Sequence, residues 1–251
     1  MDERGDAMRI LFVLVGLILS AAPAVADQSA AFCATAKKSF EDDSALAAAA
    51  MTVFGKATFK AASEDCVYPL KVLHYASADV LVVQAGEPGE ACHGCGAPVS
   101  AYVLRRNGGA LKTVRSFRNF ATLGTFGAAR DVSSVEIGAD DGIAIESGGT
   151  FQGYSSTGLD FYAFHAGTLV SISGGPTALS TDNSGAEPSK AIEVTGKWFF
   201  DPADKTALIV DYKIDAPGAV HTDRVVWRLQ GTSLVLSHGR VPPELAKAAG
   251  G

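Results

Sequence analysis

Residues 192–237, IEVTGKWFFDPADKTALIVDYKIDAPGAVHTDRVVWRLQGTSLVLS, decide the fold. Their apolar runs are short and rich in Val, Ile, Phe and Trp. Turn residues separate them at Asp201 to Lys205 and at Gly231-Thr232. β-Branched and aromatic side chains suit a pleated surface, while Gly and Asp suit bends, so the pattern marks antiparallel strands. The expected strands are Ile192–Phe200, Ala207–Lys213, Arg224–Gln230 and Leu234–Ser237. Neighbouring residues on a strand face opposite sides. Trp198 and Phe200 therefore share one face, and Phe199 points the other way.

The same pattern recurs twice upstream. One unit holds Leu70–Tyr75, Val80–Gln84, Val99–Arg105 and Leu111–Ser116. The next holds Val132–Ile137, Ile143–Glu146, Leu159–His165 and Leu169–Ser173. About three four-stranded antiparallel meanders describe this mainly β chain. Three blades are too few for a propeller. A sandwich or an open, barrel-like wrap is expected. Residues 174–189 (GGPTALSTDNSGAEPS) read as a loop between the second and third units.

Residues 27–66 form a short N-terminal helical segment, rich in alanine, with Asp42-Asp43-Ser44 offering a cap. The β domain is expected over 67–240 and a disordered tail over 241–251. At the start, Arg4 and Arg9 precede the apolar run Ile10 to Leu19, and small residues lead to Ala24-Val25-Ala26. That is a secretory signal peptide over 1–26, cleaved before Asp27. The apolar run falls short of the roughly 20 residues a spanning helix needs. No membrane span is expected after cleavage, and the mature chain is periplasmic or secreted.

The chain carries 21 Lys and Arg against 27 Asp and Glu, a net charge of −6. A mildly acidic sequence with no basic cluster argues against nucleic acid or anionic lipid as a partner. Four cysteines in an exported chain point to two disulfides, for which three connectivities exist. Cys33–Cys66 with Cys92–Cys95 is the favoured set.

Cys92-His93-Gly94-Cys95 is the sharpest local feature. It reads first as a structural clip, which requires no cofactor. As alternatives, Cys92, His93 and Cys95 can hold zinc or copper, or the cysteines can form a redox pair. A thioredoxin-type pair sits at a helix N-terminus. Here Gly96-Ala97-Pro98 and a strand follow instead. The sequence contains no Gly-x-Ser-x-Gly elbow, His-Glu-x-x-His or Walker loop, and no catalytic residue is assigned. Gly148 to Tyr154 (GGTFQGY) reads as a bend between strands. Trp198, Trp227 and Tyr154 are candidates for an exposed aromatic platform that binds a ligand, with core packing as the plainer reading of the tryptophans.

Taken together, Cys-His-x-Cys before a strand, Gly149 to Tyr154 (GTFQGY), Asp182-Asn183-Ser184-Gly185 and Lys197-Trp198-Phe199-Phe200 resemble a loose group of exported bacterial β-rich proteins of uncharacterised function. The resemblance covers roughly residues 80–235 and implies no activity. The expected function is a non-enzymatic exported β-domain that binds an unidentified partner protein or envelope component. The alternative is a metal-binding or thiol-redox protein using the Cys92–Cys95 loop.

Overall fold

The computed structural model describes residues 30–55, 57–61, 66–176 and 178–248. The leader expected at 1–26 lies outside them. Strands take up 61% of the described residues and helices 11%, which makes the protein mainly β.

The described chain opens with β1 (Phe32–Cys33), α1 (Ala36–Asp42) and α2 (Ser44–Phe54). Asp43 separates the helices and caps the second. Its carboxylate accepts from the backbone N–H groups of Ala45 and Leu46, each at 2.9 Å, which satisfies two donors a helix start leaves open. β2 (Phe59–Lys60), β3 (Val67–His74), β4 (Asp79–Ala85), β5 (Ala97–Asn107) and β6 (Ala110–Leu123) follow. They complete a six-stranded sheet in the order β2-β1-β3-β4-β5-β6. Leu46, Ala50, Val53 and Phe54 of α2 pack on one face of it, against Leu81, Val83, Tyr102 and Leu104. Val80 and Val82 alternate to the other face and enter a separate core.

β7 (Ala129–Ile137), β8 (Asp140–Phe151), β9 (Tyr154–His165), β10 (Thr168–Gly174), β11 (Ser180–Asp182), β12 (Glu193–Asp201), β13 (Asp204–Ala216), β14 (Ala219–Gln230) and β15 (Ser233–His238) form a second sheet. Each strand read from the sequence overlaps one of the observed strands. The first unit makes a sheet with β1 and β2, whereas strands of the second and third units share the nine-stranded one.

β9 makes that sharing possible by using one edge twice. Phe161 to His165 pair with β10, and Ser155 to Thr157 pair with β11. β10 then pairs in parallel with β15, so the strands from β9 to β15 close a seven-stranded barrel. The expectation of an open wrap is corrected here. Residues 174–189, read as a loop, contain β11, whose main chain bridges β9 and β12.

Phe161, Leu208, Val210, Tyr212 and Trp227 fill the barrel. Tyr212 is fully buried, and its hydroxyl donates to the Ala178 carbonyl at 3.1 Å. The opposite face of β9 turns Tyr162 and Phe164 toward the six-stranded sheet. There they join Val80, Val82, Ile143 and Ile145 in the core between sheet and barrel. Within the tail expected to be disordered over 241–251, the described residues 241–248 are anchored instead. α3 (Glu244–Ala248) sets Leu245, 4% exposed, into the barrel core. Among the described residues no helix is long and apolar enough to cross a membrane.

Cys33 bonds to Cys66 and Cys92 to Cys95. Two disulfides are consistent with an oxidising, exported location. The first lies buried and spans 33 residues of sequence; the second is exposed and spans 3. Chain entropy therefore separates them. Replacing Cys33 and Cys66 by Ser should cost about 3–4 kcal/mol in equilibrium urea unfolding, and replacing Cys92 and Cys95 about 2 kcal/mol or less.

Asp160 shares the sheet-facing side of β9 with Tyr162. Burial holds its carboxyl above the usual carboxylate range. The same burial, with the charge of Asp160 beside it, pushes the Tyr162 phenol up to about 12. A raised acid favours the fold when protonated and opposes it once ionised. The opposition is therefore absent below the unfolded pKa of about 3.9 and grows as pH rises through the folded value. Asp160→Asn should raise the urea midpoint at about pH 7, and the gain should vanish near pH 3.

Candidate functional site

Three of the four quoted motifs meet at one end of β8 and β9. Phe151 and Tyr154 pair across a two-residue turn in which Gln152 has φ +50° and Gly153 φ +86°. Positive φ at both positions is the hairpin turn that matches strand twist. Gly153 is needed for a second reason. A Cβ there would lie 2.4 Å from the backbone of Gly185 and Ala186. The hairpin tip thus rests on the Asp182–Gly185 turn. That turn is braced from within: Ser184 N–H donates to the Asp182 carboxylate at 2.7 Å, and Ile192 N–H to the buried Asn183 side chain at 2.6 Å.

The cysteine loop docks beside it. Cys95 N–H donates to the Cys92 carbonyl at 2.9 Å, which makes the loop a tight turn. Phe126 N–H donates to the His93 carbonyl at 3.2 Å, and Gly127 N–H to that of Cys95 at 2.7 Å. The loop therefore hangs on the 124–128 turn. That turn hangs in its own right on Gln84 of β4, which is fully buried. The Gln84 side chain donates to the Gly127 carbonyl at 2.7 Å and accepts from Ala129 N–H at 3.0 Å.

Phe126 has φ +53°, an outlying conformation for a bulky residue. Its ring lies edge-on to His93, with centroids 4.7 Å apart. Phe151, 49% exposed, stacks on His93 with centroids 3.9 Å apart. The His93 Nδ1 is buried, with no hydrogen-bond partner among the described residues. The groove that His93 and Phe151 border has a volume of about 340 Å³. Thr125, Gln152, Tyr154, Ser155 and Ser156 also line it, bringing hydroxyl and amide groups. The Tyr154 hydroxyl donates to Glu187 at 3.0 Å, and that bond holds the phenol above its ordinary pKa. The lining contains one imidazole and neither a carboxylate nor a thiol. Such a surface can stack on a flat apolar face and exchange hydrogen bonds at its rim.

Cys92, His93, Cys95 and Tyr154 are thus brought to one place. Cys92 and Cys95 are bonded to each other, so two of the three proposed zinc or copper donors carry no thiolate in this state. The tryptophans lie elsewhere. Trp227, 3% exposed, is part of the barrel core, which corrects its reading as a platform: β14 turns it inward. Trp198 is half-buried over the same core. Its indole N–H donates to Glu146 at 2.6 Å, and its ring meets Phe161 edge-on at 5.3 Å. Phe199 points outward, as the alternation requires, and is exposed. Cys33, Cys66 and Glu87 also cluster at metal-binding distances, but those sulfurs too form a disulfide.

Phe126, Phe151 and Gln84 complete the site without having been singled out from the sequence. The only signal for Phe126 is its position between Gly124 and Gly127. No family model matches the chain, and no curated protein matches it.

An unpartnered buried nitrogen costs roughly 1–3 kcal/mol. His93→Phe keeps the ring stack and removes that nitrogen. It should leave the thermal midpoint unchanged or raise it; a clear fall would show that Nδ1 has a stabilising partner.

Proposed function

We propose that the protein is exported with residues 1–26 as its leader and acts in the periplasm or outside the cell as a non-enzymatic binding domain. Its recognition surface is the groove around His93, and its target is an envelope component, in the first place a glycan. The observation that carries this reading is the aromatic cluster in which His93 stacks on Phe151 and meets Phe126 edge-on. Gln152, one residue with uncommon backbone, lines that groove, and a second, Phe126, touches the His93 that lines it. Strained residues persist where the surrounding structure enforces them, and they concentrate at binding and catalytic sites. A stacked, partly exposed aromatic surface beside hydroxyl and amide groups suits a sugar ring, which offers an apolar face and a polar rim.

Co-sedimentation with purified peptidoglycan sacculi tests the reading. The protein should be retained, and Phe151→Ser should cut the retained fraction about tenfold, as loss of an aromatic anchor does. Absence of retention, or equal retention of the variant, refutes it.

A second reading is favoured by the exposure of Cys92 and Cys95. Exposed short-ring disulfides exchange with thiols more readily than buried ones, and His93 stands between these two in sequence. A thiol-redox or metal protein would release the pair to millimolar dithiothreitol or retain zinc or copper through purification. A pair that stays oxidised in a metal-free protein removes this alternative.

A further inference from the structure

A second cleft opens at the opposite end of β8, between the six-stranded sheet and the barrel. We propose that it binds a small amphipathic carboxylate, an acid with an alkyl or aromatic body. Its volume is about 320 Å³, at the lower end of the range for small-molecule sites. Val80, Val103 and Phe117 of the sheet form one wall, and Tyr75 and Phe164 line it as well. The three aromatic rings are contiguous: Phe164 lies 5.8 Å from Phe117 and 5.9 Å from Tyr75. The Tyr75 hydroxyl is engaged with the Gly142 carbonyl at 2.7 Å, so the ring presents hydrocarbon to the cleft.

Arg105 and Arg115 supply the charge. Val103 pairs with Arg115, and the next pair is Leu104 with Thr113, which leaves Val114 as an extra residue in β6. This bulge lets Val114, Arg115 and Phe117 all line the cleft. Among the described residues neither arginine has an ion-pair partner, although both are exposed. Arg115 lies against the β9–β10 turn. A Cβ on Gly167, which has φ +78°, would come within 2.5 Å of its guanidinium. Two of the acids nearby are engaged: Asp140 with His165 at 2.9 Å and Asp79 with His74 at 2.7 Å. Asp141 lines the cleft, one carboxylate against two guanidiniums.

The sequence around these arginines is biased in the same direction. Residues 91–130 hold six cations (Arg105, Arg106, Lys112, Arg115, Arg118 and Arg130) and no Asp or Glu, in a chain of net charge −6. The whole-chain balance concealed this cationic stretch. A guanidinium fork matches a carboxylate in shape and charge, and the apolar wall takes the body attached to it. A cationic or neutral amphiphile would satisfy only the wall.

Titration calorimetry of the purified protein with decanoate and decanol tests the proposal. Decanoate should bind at one site below its micellar concentration, and decanol at least about tenfold more weakly, the loss expected for a charge-assisted contact. Arg105→Gln with Arg115→Gln should weaken decanoate about tenfold or more and leave decanol unchanged. Both side chains are exposed, so the double variant should melt with the wild type. An independent reading needs no variant: in amide NMR spectra of the wild type, Val103 and Gly167 should shift with decanoate. No saturable binding, equal affinity for decanol, an insensitive double variant, or shifts confined to other residues each overturns the proposal.

Discussion

One strand edge has to serve two neighbours, and the architecture follows from that. The backbone of β9 offers a single row of donors and acceptors on its barrel-closing side. β10 takes the C-terminal part of the row and β11 the N-terminal part. Without β11 that row would end in unpaired groups, and β12 would be a free edge. A closed ring removes such edges. It also fixes the orientation of β9, whose alternate side chains supply both the barrel core and the layer that holds the six-stranded sheet.

Rigidity of β8 and β9 then positions two very different surfaces. At one end the strands run into the Gln152-Gly153 turn and the aromatic stack on His93. At the other they carry Asp141 and Phe164 into the cleft of the two arginines. One surface is neutral, aromatic and edged with hydroxyl groups; the other is apolar with a cationic mouth. Both lie beside the seam between sheet and barrel, where side chains from distant parts of the sequence come together.

The strands were legible because their apolar residues alternate or run together between turn residues, as in Ile192–Phe200. β11 was not, because Ser180-Thr181-Asp182 is polar and three residues long; its pairing depends on where β9 and β12 already lie. The cysteine loop was legible from spacing alone, and so was a bend at GGTFQGY. Their meeting was not. It depends on a left-handed Phe126, and no side-chain pattern announces that. Trp227 and Trp198 drew attention as large aromatics, yet composition does not tell an inward-facing tryptophan from an outward-facing one until the partner strand is known. The cationic stretch is hidden in the net charge because its charges are balanced by acids from other parts of the chain.

Gln84 makes the groove answerable to a position it never touches. Its fully buried side chain donates to the Gly86 and Gly127 carbonyls and accepts from Ala129 N–H. Glutamate lacks the donor, methionine has neither group in place, and asparagine is one methylene too short. A variant here would disturb the 124–128 turn and the cysteine loop hung on it while every residue lining the groove remained intact.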